Sequence, residues 1–424
     1  MRAPDELDGI AVQTPHAALG YRELGERSRR GAGELGVAPG ERVAIALAPG
    51  IDFAVALHAC FAAGAVALPV DPRLPRELWR IDGCAAVVDR PLECTASGHA
   101  ARAPRLEDVA LVVRTSGTSG EPKEVPLTFG NFVWSAIGSA VALGLDPGER
   151  WLCTLPVVHV GGLSILVRSW LYGTTAVVHE RFDAHAATAA LMEERITLVS
   201  VVATTLTRLL DAGLEQPATL RCALAGGGPV PAALIERAQS GGVVVAQTYG
   251  LSESCSQVAT QIPGRGAATD AGPPLFCTRV EIAADGEIIV LGPTVSPAVA
   301  EGRLMSGDLG ELDADGNLVV VGRKADMIIS GGENVAPAEV EAVLCEHPAV
   351  AEAGVFARAD SEWGEAVNAA VVLRADIGEE ALRAHCADRL APYKVPKAIV
   401  VVKSLPRTAS GKLLRRDLAS ATAL

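Results

Sequence analysis

The first two-thirds of the chain alternates short apolar runs with longer stretches that have helical periodicity. Residues 42–47 and 66–70 are predicted strands on either side of a helix over residues 52–63. The alternation continues with predicted strands over 197–202, 221–225 and 243–247 and predicted helices over 205–212 and 231–239. Strands that alternate with helices are typical of α/β proteins with a parallel sheet. Ligand-binding residues are therefore expected in the loops after the strands.

Around residue 280 the pattern changes to paired strands. Predicted strands over 279–283 and 287–291 flank Asp285-Gly286, and strands over 310–313 and 318–321 flank Asp315-Gly316. Asp-Gly pairs favour tight hairpin turns. Farther along, a helix is predicted over 337–345 and strands over 353–356, 369–373 and 398–402. We expect a large α/β N-terminal domain with a β-rich section, residues 1–323, and a small α+β C-terminal domain, residues 324–424.

Composition and charge exclude several classes of protein. With 424 residues, of which 49% are hydrophobic, the chain can bury the cores of more than one domain. Its net charge of −13, from 37 basic and 50 acidic residues, argues against nucleic acid as a partner. The longest apolar region, residues 43–70, is interrupted by Pro49, Gly50, Asp52 and His58. We therefore expect no membrane span, and the first nine residues show no signal-peptide pattern.

The nine cysteines are scattered, without a CxxC pair or a histidine at metal-ligand spacing. Such a set predicts free thiols and favours a reducing cytoplasm. Cys255 is expected to be a small buried filler.

The segment RTSGTSGEPK, residues 114–123, has the composition of a phosphate-binding loop. It follows a predicted buried strand over 109–113. Glycines let backbone N–H groups approach an anion, hydroxyls add donors, and a lysine adds a mobile positive charge. The candidate phosphate-binding residues are Thr115, Ser116, Gly117, Thr118, Ser119, Gly120 and Lys123. A solvated Gly/Ser turn is the alternative, and the Walker order is excluded because Pro122 precedes Lys123 and Glu124 follows it.

This loop resembles the signature loop of the adenylate-forming superfamily, which includes acyl-CoA synthetases, peptide-synthetase adenylation domains and luciferases. Ser119 stands where the family usually has threonine, and Glu124 stands where a small residue is common. Glu124 is expected to neutralise Lys123 in part. The resemblance covers nearly the whole chain and implies ATP, Mg²⁺ and CoA as cofactors. It also implies that a carboxylate is activated as acyl-AMP and that the C-terminal domain moves between the two steps.

The segment TYGLSE, residues 248–253, resembles a second motif of this family. Without the resemblance it would be read as a loop with an exposed glutamate. The resemblance implies that Tyr249 stacks on adenine and that Glu253 binds Mg²⁺, an ion that needs few protein carboxylates. Thr248, Gly250 and Ser252 then belong to the same ATP-binding stretch, and Ser252 keeps the hydroxyl of the family's usual threonine.

Later motifs resemble the family in the same order. Asp308 matches the residue that accepts hydrogen bonds from ribose, and Arg323 matches one that binds ribose or phosphate. The backbone of Gly331 and Gly332 would border the thiol's entry path. Lys412, which alone would be a solvated charge, matches the lysine that enters the active site during adenylation, and it is our candidate for the catalytic lysine.

Two features fit the family less specifically. Gly227 and Gly228 match its adenine-side loop, although a plain turn between a strand and a helix explains these glycines equally well. Many members have an acidic residue two places after the arginine, where this chain has Ala325. The position of the hinge is therefore left open.

The acid-binding side is indicated by the segment over residues 156–169. It contains His159, which the family places against the acyl pocket, and Arg168, an electrostatic partner for the substrate. Gly250 also belongs to this side. The segment most resembles that of the o-succinylbenzoate-CoA ligases of menaquinone biosynthesis, whose substrate carries a second carboxylate. Core packing for His159 and a surface position for Arg168 are the alternatives.

The predicted function is therefore an ATP-dependent acid–thiol ligase that activates an aromatic carboxylate. The alternatives are an aryl-CoA ligase acting on a benzoate or anthranilate, and a nucleotide-binding regulator without catalysis. A phosphate-loop hydrolase is disfavoured because the Walker order is missing. The choice between CoA and a carrier-protein thiol is left open, as is a homodimer.

Overall fold

The computed structural model describes residues 3–96, 103–116, 122–407 and 413–422. In these ranges the chain forms twenty-two strands and ten α-helices. The strands are β1 (Ile10–Gln13), β2 (Ala18–Gly20), β3 (Arg42–Ile45), β4 (Val66–Pro69), β5 (Cys84–Val88), β6 (Val109–Ser116), β7 (Pro122–Thr128), β8 (Arg150–Cys153), β9 (Thr175–Val178), β10 (Leu198–Val201), β11 (Cys222–Ala225), β12 (Val245–Leu251), β13 (Ser256–Thr260), β14 (Arg279–Ile282), β15 (Glu287–Leu291), β16 (Arg303–Leu312), β17 (Leu318–Arg323), β18 (Ile328–Ser330), β19 (Glu333–Val335), β20 (Val350–Asp360), β21 (Gly364–Leu373) and β22 (Ala398–Val401). The helices are α1 (Tyr21–Leu35), α2 (Ile51–Ala63), α3 (Phe129–Leu143), α4 (Val160–Tyr172), α5 (Ala184–Glu193), α6 (Ala203–Asp211), α7 (Ala232–Ser240), α8 (Pro337–Glu346), α9 (Glu379–Ala387) and α10 (Arg415–Ala421).

Two mainly parallel sheets form the first two-thirds of the chain, as predicted. One has the strand order β13-β12-β11-β10-β8-β9-β1-β2, and the other has the order β5-β3-β4-β6-β7. Antiparallel pairs occur only at their edges among the described strands, where β2, β13 and β7 lie. The largest buried cluster joins residues of both sheets with residues of helices α1 to α4, including Tyr21, Phe53, Phe132, Trp151, Leu163 and Trp170. The α/β prediction is therefore confirmed.

The β-rich section is a four-stranded antiparallel sheet, β14-β15-β16-β17. Both predicted Asp-Gly turns are present in it. Gly286 connects β14 to β15 with φ +84°, and Gly316 connects β16 to β17 with φ +83°. These left-handed conformations explain why glycine is placed at both turns.

The C-terminal part has its own five-stranded sheet, in which β19-β18-β21-β20 are joined by β22 on β21. Helices α8 and α9 cover it and bury Val340, Leu344 and Leu382. This is the predicted α+β unit. A short 3-10 turn, Lys324–Asp326, connects it to β17. A domain boundary between residues 323 and 324 remains a prediction.

The strands extend farther into the motifs than the sequence predicted. β6 continues to Ser116, because the antiparallel ladder pairs Thr115 with Lys123 and Ser116 with Pro122. β12 continues to Leu251, because its end pairs with β13. The hydrogen-bonded ladders therefore hold the edges of both motifs as strands rather than as free loops.

Two expectations about chain chemistry also hold. All nine cysteines are free, and Cys255 is fully buried. In the described ranges, no helix is both long enough and apolar enough to cross a membrane.

An ion pair at the amino ends of the strands gives a test of stability away from the motifs. Glu149 is buried, and its carboxylate accepts hydrogen bonds from Arg221, which also donates to the Leu143 carbonyl at 3.1 Å. Because Arg221→Met leaves this carboxylate without its cation, we expect the free energy of unfolding to fall by about 2 kcal/mol, measured by chemical denaturation. The control is Arg237→Met, since the Arg237–Asp211 pair is exposed and should contribute little. Equal losses in both variants would contradict the prediction.

Candidate active site

The carboxyl ends of β11 and β12 lie side by side and carry two of the predicted ATP-binding segments. The parallel ladder pairs Ala225 with Gln247, so the glycines after β11 lie next to Thr248. A Cβ on Gly226 would lie 2.7 Å from Thr248 Cγ2, and Gly227 has φ +79°. Gly226 is therefore explained by its close contact with Thr248, and Gly227 by its left-handed backbone. A ligand-binding role for Gly227 and Gly228 remains a prediction.

Gly250 is a point of close backbone approach. A Cβ at this position would lie 1.6 Å from the Ser256 carbonyl oxygen, so no other residue fits without a backbone shift. The register between β12 and β13 changes here, between Tyr249 and Gly250. The 3-10 turn Ser252–Ser254 follows directly and contains Glu253.

Asp308 brings together two other predicted ATP-binding residues. Its buried carboxylate accepts a hydrogen bond from the Tyr249 hydroxyl at 2.7 Å and lies 2.8 Å from Arg323 Nε. Pairing of β16 with β17 places Asp308 opposite Arg323. Burial, and then the charge of Asp308, raises the pKa of Tyr249 far above its usual value, so the phenol stays protonated and donates. Residues from three strands therefore converge on one carboxylate.

Glu253 and Lys123 line the same cavity, which has a volume of about 250 Å³. Lys123 comes from β7, and Glu253 comes from the turn after β12. Ser296 and Arg303 also line it. The lining thus combines two carboxylate residues, Glu124 and Glu253, with two cationic residues, Lys123 and Arg303. Such a lining fits an Mg²⁺–phosphate group, because Mg²⁺ keeps waters and phosphate oxygens as most of its ligands.

The expectation that Glu124 neutralises Lys123 is not supported by the ion pairs. Glu124 pairs instead with Arg42 at 2.8 Å and with Arg114 at 3.0 Å. Burial works to raise the pKa of the Glu124 carboxyl, but the hydrogen bonds from the two arginines outweigh it and lower the pKa. Glu124 lines the same cavity as Lys123, and the two arginines are the cations with which its carboxylate pairs.

Several predicted site residues lie outside the described ranges. These are Gly117, Thr118, Ser119, Gly120 and Lys412. Thr115 and the backbone of Ser116 belong to β6, so the strand leads directly to this loop. Their roles in binding phosphate, and the role of Lys412 in adenylation, remain predictions.

His159 is the N-cap residue of α4, where its carbonyl accepts from the Leu163 N–H, and the residue is partly buried. Burial lowers the pKa of His159. The negative charge of Asp71 acts in the opposite direction, and the positive charge of Arg73 lowers the pKa further. Asp71 and Arg73 form an ion pair of 2.7 Å. The imidazole is therefore held neutral at neutral pH, as suits a gate for an aromatic substrate rather than an anion-binding group.

Arg168 is in the core, with 2% of its surface exposed, and not on the surface. Its Nη2 donates to Ser135 Oγ at 2.8 Å, and its guanidinium lies 5.9 Å from the centre of the Trp151 ring. Its Nε has no hydrogen-bond partner among the described atoms, and no described carboxylate is among the charges that act on its guanidinium. Arg168 is thus a buried cation without a counter-ion in this part of the chain.

Gly331 and Gly332 form the turn between β18 and β19, with φ of +61° and +87°. A Cβ on Gly331 would lie 2.9 Å from Cε3 of Trp363. Local backbone geometry thus explains why glycine stands at both positions. A role of the two glycines on the CoA side remains a prediction.

Ser296 and Ser135 were not predicted from the sequence. Ser296 is buried and contacts the Glu253 backbone, and Ser135 contacts both Arg168 and the Cys255 carbonyl. Neither serine lies in a recognisable motif, because these contacts join residues more than thirty positions apart.

Comparison with known families agrees with this geometry. The model described as AMP-binding enzyme matches residues 2–81 and 83–298, and the model of the AMP-binding enzyme C-terminal domain matches residues 339–412.

Comparison with individual proteins gives similar chains of nearly the same length. A 2-succinylbenzoate–CoA ligase of Bacillus licheniformis is 38% identical, with 98% of both chains covered. The o-succinylbenzoate CoA synthetase (MenE) of Bacillus subtilis, solved with the acyl-adenylate intermediate OSB-AMP, has a TM-score of 0.89 at 36% identity, covering 97% of this chain and 95% of that one. The same enzyme solved with ATP and magnesium ion also has a TM-score of 0.89 at 36% identity, with 97% of both chains covered. The chain therefore belongs to the AMP-binding enzyme family, among relatives named 2-succinylbenzoate–CoA ligases.

Proposed function

We propose that this chain is an AMP-forming ligase that activates 2-succinylbenzoate, also written o-succinylbenzoate, with ATP and transfers it to CoA for menaquinone biosynthesis. The observation that carries the ATP chemistry is the meeting of Lys123 and Glu253 in one cavity. The choice of acid is supported by relatives of the same length that act on it by name.

The reaction proceeds in two displacements. A carboxylate oxygen attacks the α-phosphorus of ATP, the bond to the bridging oxygen breaks, and pyrophosphate leaves, which gives acyl-AMP. The CoA thiolate then attacks the acyl carbonyl, the bond to the phosphate oxygen breaks, and AMP leaves. The enzyme has little covalent chemistry of its own to perform, so it acts by positioning the reactants and by stabilising negative charge.

The residues divide this work between the two ends of ATP. Asp308 is proposed to accept hydrogen bonds from the ribose, and its contacts with Tyr249 and Arg323 support this role by holding its carboxylate. Lys123 carries positive charge to the phosphate side, and Lys412 is our candidate for the lysine that stabilises the transferring group. Mg²⁺ bound at Glu253 would neutralise phosphate charge there.

The buried charge of Arg168 supports the proposal that the substrate is an acid with two carboxylates rather than a simple benzoate. A guanidinium remains protonated even when burial lowers its pKa, as it does here. A buried charge without a counter-ion attracts an anion. For two unit charges about 8 Å apart, at an effective dielectric constant of about 20, the attraction is about 2 kcal/mol. The carboxylate that is not activated would supply this anion.

The remaining features of the enzyme are also proposals. Free cysteines and the use of ATP and CoA favour the cytoplasm. We take CoA rather than a carrier protein as the acceptor because the relatives are CoA ligases by name. Residues 324–424 are proposed to move as a domain between the two steps, and a homodimer remains a prediction.

The first test is a panel of acids. With ATP, Mg²⁺ and CoA, the purified protein should convert 2-succinylbenzoate into its CoA thioester and release AMP, measured by mass spectrometry and by a coupled AMP assay. The panel includes 4-oxo-4-phenylbutanoate and 2-propanoylbenzoate, each of which lacks one carboxylate, together with benzoate and anthranilate. A preference for benzoate or anthranilate would contradict the assignment, release of ADP would contradict the reaction class, and no turnover with any acid would favour a regulator.

The second test concerns Arg168. Arg168→Met has a similar volume and removes a buried charge, so the protein should remain folded. We expect kcat/KM for 2-succinylbenzoate to fall about 30-fold, which corresponds to about 2 kcal/mol, because the free carboxylate loses its cation. The KM for ATP should stay within about twofold. An unchanged kcat/KM would show that Arg168 does not act on the substrate.

The third test concerns Asp308. Asp308→Asn removes the negative charge that holds Arg323 and accepts from Tyr249, so we expect the KM for ATP to rise about tenfold. Initial rates at varied ATP concentration measure this effect. The control is Asp315→Asn, an exposed aspartate in the next turn of the same sheet, which should leave the KM for ATP unchanged. Equal KM values in the two variants would contradict the role of Asp308.

A further inference from the structure

The turn that follows Glu253 has a strained backbone. Cys255 has φ +56° and Ser256 has φ +90°, and neither is glycine. Such conformations are energetically unfavourable for residues other than glycine and persist only where the surroundings hold them. The strain lies two and three residues after the proposed metal-binding carboxylate. The contacts that stabilise this turn therefore influence the orientation of Glu253.

One side of the turn is held by Ser296. Its backbone N–H donates to the Glu253 carbonyl at 2.8 Å, and its Oγ donates to the Pro126 carbonyl at 2.7 Å. Pro126 belongs to β7, the strand that carries Lys123. This single buried residue therefore fixes the Glu253 segment against the strand of the phosphate-binding lysine.

The other side of the turn is held by Ser135 of α3. Its Oγ donates to the Cys255 carbonyl at 2.8 Å and accepts from Arg168 Nη2 at 2.8 Å. All three residues are buried. A hydroxyl that accepts from a cation becomes a stronger donor, so Arg168 reinforces the bond to Cys255.

We infer that Ser135 is a positioning residue for Glu253, acting with Ser296 to hold the strained turn that presents the carboxylate to Mg²⁺. The hydrogen bond from Ser135 stabilises the left-handed conformation at Cys255, and the bonds of Ser296 fix the distance of the turn from β7. This inference rests on the proposed function, in which Glu253 binds the metal. It adds that a serine on a helix outside every motif sets the metal affinity of the site.

The test measures the Mg²⁺ dependence of adenylation. In Ser135→Ala the Cys255 carbonyl loses its donor, so we expect the Mg²⁺ concentration for half-maximal pyrophosphate exchange to rise about five- to tenfold. Thioester formation from supplied acyl-adenylate should change less than twofold, because it does not draw on the metal. Ser296→Ala, which keeps its backbone bond to Glu253, should shift the Mg²⁺ dependence in the same direction and serves as a second variant if Ser135→Ala does not fold.

Two further variants separate positioning from a general loss of structure. Ser169→Ala removes another buried serine hydroxyl, which makes no hydrogen bond, so its Mg²⁺ dependence should match the unmodified protein. Arg168→Met keeps the bond from Ser135 to Cys255 and should raise the KM for the acid while shifting the Mg²⁺ dependence less than twofold. An unchanged Mg²⁺ dependence in both Ser135→Ala and Ser296→Ala, or equal losses in both half-reactions, would overturn the inference.

Glu253→Gln distinguishes failure of the inference from failure of the proposed function. A raised Mg²⁺ requirement in Glu253→Gln together with normal Ser135 and Ser296 variants overturns only the role of the serines. A normal Mg²⁺ requirement in Glu253→Gln overturns the metal site and the inference together, while thioester formation by the unmodified protein still stands as the test of the overall reaction.

Discussion

The buried carboxylate of Asp308 is the interaction on which the nucleotide side of the site depends. It accepts from the hydroxyl of Tyr249 and pairs with Arg323, so β12, β16 and β17 meet at one point. A buried carboxylate is stable only with such partners, because burial of an unpaired charge costs several kcal/mol. The residues that are proposed to hold the nucleotide thus also stabilise the junction of two sheets. Arg323 is in addition the last residue of β17, directly before the turn that leads to the C-terminal part.

The phosphate side is built differently, from two segments that approach each other across a cavity. Lys123 stands on β7, and the next residue of this strand, Glu124, pairs with Arg42 and Arg114, so ion pairs anchor the strand that carries the lysine. Glu253 stands on a short turn that has no regular ladder of its own. Its position depends on side-chain hydrogen bonds, and this is why serines outside the motifs matter to it. A protein with a net charge of −13 can therefore bind a polyanion, because a few positive groups are placed locally and not because of its overall charge.

The sequence predicted the layers of the fold well and the details of the site unevenly. Alternating apolar runs revealed the parallel strands and the Asp-Gly hairpins, because these depend on local periodicity and turn geometry. The extension of β6 and β12 into the motifs was missed, since it is set by pairing with β7 and β13. The arginine partners of Glu124 were not predicted, because Arg42 is eighty-two positions away and pairing across the sheet brings it close. A surface position for Arg168 was kept open, because its burial depends on residues of α3 and β8 that adjacent positions do not reveal.

Recognition of ATP and choice of acid are separate structural problems in this chain. The residues proposed to bind ATP lie at strand ends, where the backbone fixes them and where glycine is required, as at Gly250. These positions can change little without breaking the ladders, so they carry a recognisable pattern. Arg168 lies within α4, where many side chains can fill the same volume, and its proposed effect on an acid would come from charge in a low-dielectric interior. Ser135 contacts both Arg168 and the turn after Glu253, so the acid-binding and metal-binding sides are joined by one hydroxyl. Loss of Arg168 would leave the bond from Ser135 to Cys255 in place, so acid specificity can change at Arg168 with little effect on the metal side.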